Sequence, residues 1–93
     1  MEYKYITPKV ESIQPLNDYK IFIRFKTGEK KVFDASSYIE VGKWYADLAD
    51  ISYFNSVHVA GSTIEWPNGQ DIAPEDLYYD SVPVDEYNSQ INL

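Results

Sequence analysis

The clearest pattern along the chain is the run YKIFIRF, residues 19–25. Tyr19, Ile21, Ile23 and Phe25 fall on alternate positions with Lys20, Phe22 and Arg24 between them. Strict alternation places the first set on a core-facing side of a strand and the second on the other side. The loop KTGE follows, then KKVFD reads as the returning strand, so residues 19–34 predict a β-hairpin. Upstream, PKVESIQ reads as a first strand. Val10 and Ile13 break its alternation, which predicts a bulge or a twist there. A second hairpin is predicted from SVHVA and TIEW, joined by a tight turn at Gly61 and Ser62. His58 then lies opposite Val57 and Val59 on that strand, and is expected to be exposed.

The helical segments are short. Asp34 is positioned to cap a turn running through Ile39, with Gly42 ending it. A further short helix is predicted within YADLADISYFNS, capped by Asp50 and packing Ile51 and Phe54 inward. The stretch EWPNGQDIAPEDLYYDS predicts a turn followed by a third helix. Pro67 fixes φ and lacks an N–H, Asn68 and Gly69 tolerate positive φ, and Asp71 suits an Asx turn. Pro74 fits the first helical position after Ala73 as cap, with Ile72 and Leu77 as a hydrophobic staple. Glu75 and Asp76 then sit in the first turn, where the positive end of the helix dipole favours them. The fold class expected is α+β: a small antiparallel sheet built from two β-hairpins, with two or three short helices. Residues 1–80 form one domain on this reading. Residues 81–93 form an acidic tail, either loose or adding an edge strand.

Composition narrows the chemistry. The 93 residues contain no cysteine, which excludes disulfides, thiolate catalysis and cysteine-based metal sites and is compatible with a cytoplasmic location. No long apolar run marks a signal peptide or a membrane span. Every Lys and Arg lies between Lys4 and Lys43, whereas from Trp44 onward there are nine acids and no Lys or Arg. The net charge of −7 disfavours general nucleic-acid binding, because phosphates are repelled. The asymmetry fits either neutralisation within the chain or attraction of a basic partner or a second copy. Nine tyrosines suit half-buried positions and interfaces.

No catalytic, cofactor or metal constellation emerges. Asp71, Glu75, Asp76 and Asp80 could be read as a carboxylate site, but their spacing is no calcium loop, and helix and turn roles account for them. With one histidine and no cysteine, zinc is disfavoured. Lys20, Phe22, Arg24 and Lys31 offer a possible interaction surface on the first hairpin; the same charges could instead guard a sheet edge against unwanted pairing.

The chain resembles the prokaryotic family known as domain of unknown function 2442. The residues that carry the resemblance are Pro15-Leu16 and Tyr19, Gly28, Phe33-Asp34 and, above all, Trp66-Pro67-Asn68-Gly69, Asp71-Ile72, Pro74 and Leu77-Tyr78. The resemblance covers about residues 7–80. It implies a small α+β domain with short helices and supplies no catalytic residue. Some relatives of this kind carry a following helix-turn-helix domain, which is not expected here. Others are encoded beside a second small protein in a toxin–antitoxin-like arrangement. The expectation is therefore a non-enzymatic, cytoplasmic protein-interaction or regulatory module without a cofactor, acting on an unidentified protein partner or on itself, one half of a two-gene pair. The alternatives are a small carboxylate- or metal-dependent enzyme, and nucleic-acid contact through residues 20–31.

Overall fold

The structure is a computed structural model and describes residues 7–41 and 43–85. Three strands in succession, β1 (Val10–Pro15), β2 (Lys20–Phe25) and β3 (Lys30–Asp34), form an antiparallel meander. A short helix α1 (Ser36–Val41), a 3₁₀ helix (Lys43–Ala49) and a single turn of helix, α2 (Ile51–Phe54), follow. The second hairpin, β4 (His58–Ala60) and β5 (Thr63–Glu65), leads to α3 (Pro74–Tyr79) and then to β6 (Val82–Pro83). The α+β class is as the pattern predicts.

The two hairpins do not share one sheet. The strand order of the larger sheet is β1-β2-β3-β6, and β4 pairs only with β5 in a two-stranded sheet of its own. Val82 and Pro83 join the β3 edge opposite Val32 and Lys31, the edge-strand alternative for the segment after residue 80. Residues 86–93 lie outside the described residues, as does the helix end expected at Gly42. The β1–β2 register slips between Val10 and Ser12, so the bulge falls where the alternation breaks. The Val10 amide donates to the Ser62 carbonyl at 3.2 Å, which fixes the second hairpin against the start of the first sheet.

The core lies on one face of the larger sheet. Ile21, Ile23 and Phe25 from β2 and Phe33 from β3 meet Leu48, Phe54, Ile64, Trp66, Ile72 and Leu77 from the elements above them. Each of these large side chains is withdrawn from water, which is the main favourable term for a chain of this size. Tyr19 closes the margin. Its ring meets Phe54 edge-on at 5.4 Å, and its hydroxyl donates to the Ala49 carbonyl at 2.6 Å. These contacts hold it at φ 60 beside Asp18 at φ 61, a left-handed pair in a chain of L-residues.

The helix starts follow their caps. The Asp34 carboxylate accepts from the Ser36 amide and hydroxyl. That of Asp50 accepts from the Ser52 and Tyr53 amides. Phe54 is buried as expected, but Ile51 is not: it is 54% exposed. The helix has only one turn, and its inward side is filled by Phe54 at the C-terminal end, so Ile51 at the first position stands clear of the core. Val57, just before β4, is buried and His58 exposed as alternation requires, while Val59 is also exposed although its cross-strand partner Ile64 is buried.

Candidate functional site

The stretch from Trp66 to Tyr78 builds a bend and launches a helix. The Gly69 amide donates to the Trp66 carbonyl at 2.8 Å, and the Trp66 amide donates to the Gln70 carbonyl at 2.8 Å. This is a three-residue loop in which a left-handed residue follows the turn. Pro67 presets the turn, and Gly69 takes the left-handed position at φ 100. The returning segment runs back along β5: Asp71 bridges Glu65, and the Thr63 hydroxyl donates to the Ile72 carbonyl at 2.6 Å. Ala73 is the cap of α3 and Pro74 is at its start, with Ile72 and Leu77 both buried in the core. Among the described residues no hydrogen bond reaches the Asp71 side chain, so the predicted Asx turn is absent. Asp71 acts through its backbone, whose carbonyl accepts from the Tyr45 hydroxyl at 2.9 Å.

A cross-link not visible in the sequence ties this loop to the 3₁₀ helix. The Gln70 side chain is 1% exposed. Its oxygen accepts from the Tyr53 hydroxyl at 2.6 Å, and its amide donates to the Trp44 carbonyl at 3.0 Å and to Asp47 Oδ2 at 3.1 Å. Tyr53 in turn accepts from the Asn68 amide at 2.8 Å, and the Asn68 side chain donates to Asp47 Oδ2 at 3.2 Å. Trp66 is fully buried, and its indole N–H donates to the Phe54 carbonyl at 2.9 Å. A glutamine in a Gly-containing loop carries no local signal of burial, which is why Gln70 and its partners Trp44, Asp47 and Tyr53 escape a reading by pattern.

Gly69 supplies a direct test. A Cβ added there would come 3.9 Å from the Trp44 ring, an ordinary contact, so the cost of Gly69→Ala is the left-handed backbone alone. The expected loss is about 1–2 kcal/mol by urea denaturation. Gly69→Asn should recover part of it, since asparagine tolerates this region. Equal losses for Ala and Asn would show that the backbone geometry is not the cause.

The acids of the motif point outward. Asp71, Glu75, Asp76 and Asp80 are all exposed, and among the described residues no three His, Cys, Asp or Glu side chains are grouped to hold a metal ion. Two tyrosines feel these charges. Burial, and then Asp76 and Asp80, push the Tyr38 hydroxyl above its ordinary pKa; burial, and then Asp71 and Asp76, do the same for Tyr45.

The expected interaction surface on the first hairpin is divided. Lys20, Phe22 and Arg24 share the face of β2 away from the core, each half-buried, and Lys20 lies 3.8 Å from the Asp34 carboxylate. Lys31 faces the other way, because its register partner is the core residue Ile23. Its ammonium lies 4.0 Å from the Tyr78 ring centroid and donates to the Tyr78 carbonyl at 2.6 Å. Lys31 thus holds α3 to β3 and does not extend the basic patch.

Tyr78 closes the same corner. Its ring meets Phe25 edge-on at 5.1 Å, and its hydroxyl donates to Glu29 Oε2 at 2.6 Å. The bond to Glu29 pushes the tyrosine hydroxyl up to about 12 and, with the Thr27 bond, draws the Glu29 carboxyl below its ordinary value. The Tyr78 contribution to stability is therefore complete below the unfolded tyrosine pKa near 10 and is lost as pH rises toward 12. That of Glu29 is present above about 4.3 and is lost as pH falls through its lowered value. Ultraviolet titration is expected to show one tyrosine ionising near 12, and Glu29→Gln to bring that transition down toward 10. An unchanged transition in the variant would separate the two groups.

The architecture is that of a small two-sheet α+β domain, in which a loop anchored by the buried Trp66 leads into a Pro-initiated helix. Within that class the chain belongs to the family described as protein of unknown function (DUF2442), which matches it over residues 10–83. No curated protein and no solved structure matches the chain. No helix among the described residues is long and apolar enough to cross a membrane.

Proposed function

We propose that the protein is a non-enzymatic interaction or regulatory module that acts by contact with another protein, as one half of a two-gene, toxin–antitoxin-like pair. The observation that carries this reading is how the family motif is used. Trp66 to Gly69, Ile72, Pro74, Leu77 and Tyr78 all serve the bend, the core or the α3 start, while the motif carboxylates stand exposed. General acid–base work needs carboxyls held in different environments around one pocket. Large apolar side chains meanwhile remain at the surface: Trp44 at 56% exposed, Ile51 and Tyr79. Aromatic residues at such positions are the usual anchors of protein contacts.

Co-purification from the native cell at physiological salt tests the reading. A stoichiometric protein partner is the expected result. Recovery of no partner, together with a monomer at all concentrations in sedimentation, would defeat it.

A further inference from the structure

Between the 3₁₀ helix and the Trp66–Gln70 loop lies an open depression of about 360 Å³, lined by Ala46, Asp47, Asp50, Tyr53 and Asn68. Two exposed apolar side chains lie close by in the chain: Trp44 at the start of the 3₁₀ helix, and Ile51, which follows Asp50 and lines a neighbouring depression with Leu16, Asp18 and Asn55. The platform is held in place. The Trp44 carbonyl is fixed by the buried Gln70 amide, and Asp50 by its bonds to two α2 amides. The described bonds to Asp47 both reach Oδ2 and those to Asp50 both reach Oδ1, so the other oxygen of each accepts from no described residue.

We infer that Trp44, Asp47, Asp50 and Ile51 form a docking surface for a segment of a partner protein in which Lys or Arg side chains are interspersed with apolar ones. This deepens the interaction-module reading and rests on it. Charge complementarity selects the occupant. From Trp44 onward the chain has nine acids and no Lys or Arg, and two of those acids, Asp47 and Asp50, line the depression itself, so an approaching cation is attracted to it. Trp44 presents a ring to a guanidinium or ammonium group, the most favourable of the aromatic faces for such a contact. Ile51 and the Trp44 ring edge receive the apolar side chains, and the carboxylates of Asp47 and Asp50 receive the cationic ones. An anionic lipid surface or a nucleic acid would be repelled by the same field.

The test uses a short synthetic peptide of Arg and Leu arranged on opposite faces of a helix, with a Glu-for-Arg peptide as control. Titration into isotope-labelled protein should shift the resonances of Trp44, Asp47, Asp50, Ile51 and Asn68, and the affinity should fall with added salt. Trp44→Ala with Ile51→Ser should weaken binding about tenfold or more at unchanged melting temperature. Asp50→Asn, which keeps a capping oxygen, should weaken it less. Glu75→Gln with Asp76→Asn should leave it unaltered. Shifts that map elsewhere, equal weakening by the α3 variants, or no binding would overturn the surface. So would a wild-type dimer that Trp44→Ala with Ile51→Ser converts to monomer, since the occupant would then be a second copy. A native partner retained by both wild type and the double variant would also overturn it while leaving the interaction reading intact. Absence of any native partner for the wild type, with no self-association, would instead defeat the interaction reading.

Discussion

Trp66→Ala is expected to lower the unfolding free energy by about 3–5 kcal/mol, the range for truncating a buried aromatic ring. Trp66 is the largest of the fully buried side chains, and it lies where β5 meets α2 and the α3 start. Its ring packs 5.8 Å from that of Phe54 within the buried cluster, so its removal leaves a cavity that close-packed neighbours only partly fill. The hydrogen bond is the smaller part. The Phe54 carbonyl accepts from the Trp66 indole at 2.9 Å and also from the Val57 amide at 3.3 Å, so it is not orphaned when the indole is lost. Trp66→Phe should therefore cost roughly 1–2 kcal/mol more than the bond alone, for the smaller ring, and clearly less than Trp66→Ala. Urea denaturation followed by circular dichroism distinguishes the three proteins. A loss below about 1 kcal/mol for Trp66→Ala would mean that the ring does not hold the core together.

Some of this architecture is legible in the chain and some is not, and the division is physical. The alternation of Ile21, Ile23 and Phe25 specifies a strand face, and the break at Val10 and Ile13 specifies an irregularity, a bulge or a twist. Both are local, and both are observed. The same holds for the Ala73-Pro74 start of α3, where proline chemistry decides the conformation. What local pattern does not encode is pairing between distant segments. Nothing in HVA and TIE states that this hairpin stands apart from the larger sheet, or that Val82 and Pro83 return to the β3 edge. A one-turn helix is a weak guide to facing, which is how Ile51 comes to the surface against the expectation from its hydropathy. For the candidate surface, the basic hairpin drew attention through charge clustering, yet register turns Lys31 to the opposite face. Trp44 draws none, since an isolated tryptophan reads as core until the fold shows otherwise. The buried Gln70 amide donates to the Trp44 carbonyl and so fixes the backbone of the segment that carries the exposed ring.

Gln70→Leu is the second large effect, expected at about 3 kcal/mol. Leucine nearly matches glutamine in volume, so the cavity contribution is small and the loss is chiefly polar. Three bonds disappear together. The Tyr53 hydroxyl loses its acceptor, and the Trp44 carbonyl and the Asp47 carboxylate lose a donor. Asp47 is exposed and regains water cheaply, whereas the part-buried groups bear most of the roughly 1–3 kcal/mol that an unpaired polar atom costs. Gln70→Glu separates hydrogen bonding from shape. Its carboxylate still accepts from Tyr53, but it then faces the Trp44 carbonyl and the Asp47 carboxylate, with no donor for either. Those neighbours raise the folded-state pKa of the new glutamate above its unfolded value of about 4.3. The penalty relative to wild type is then full above the folded pKa and fades as pH falls to about 4.3 and below. For Gln70→Leu the difference from wild type has no such source of pH dependence. Hydrogen exchange adds the link to function. In both variants the 3₁₀ helix Lys43–Ala49 and the Asn68 amide should lose protection beyond the global change, because Gln70 is the buried group that joins them. If that protection is unaltered while stability falls, Gln70 supports the core in general and does not hold the Trp44 platform in particular.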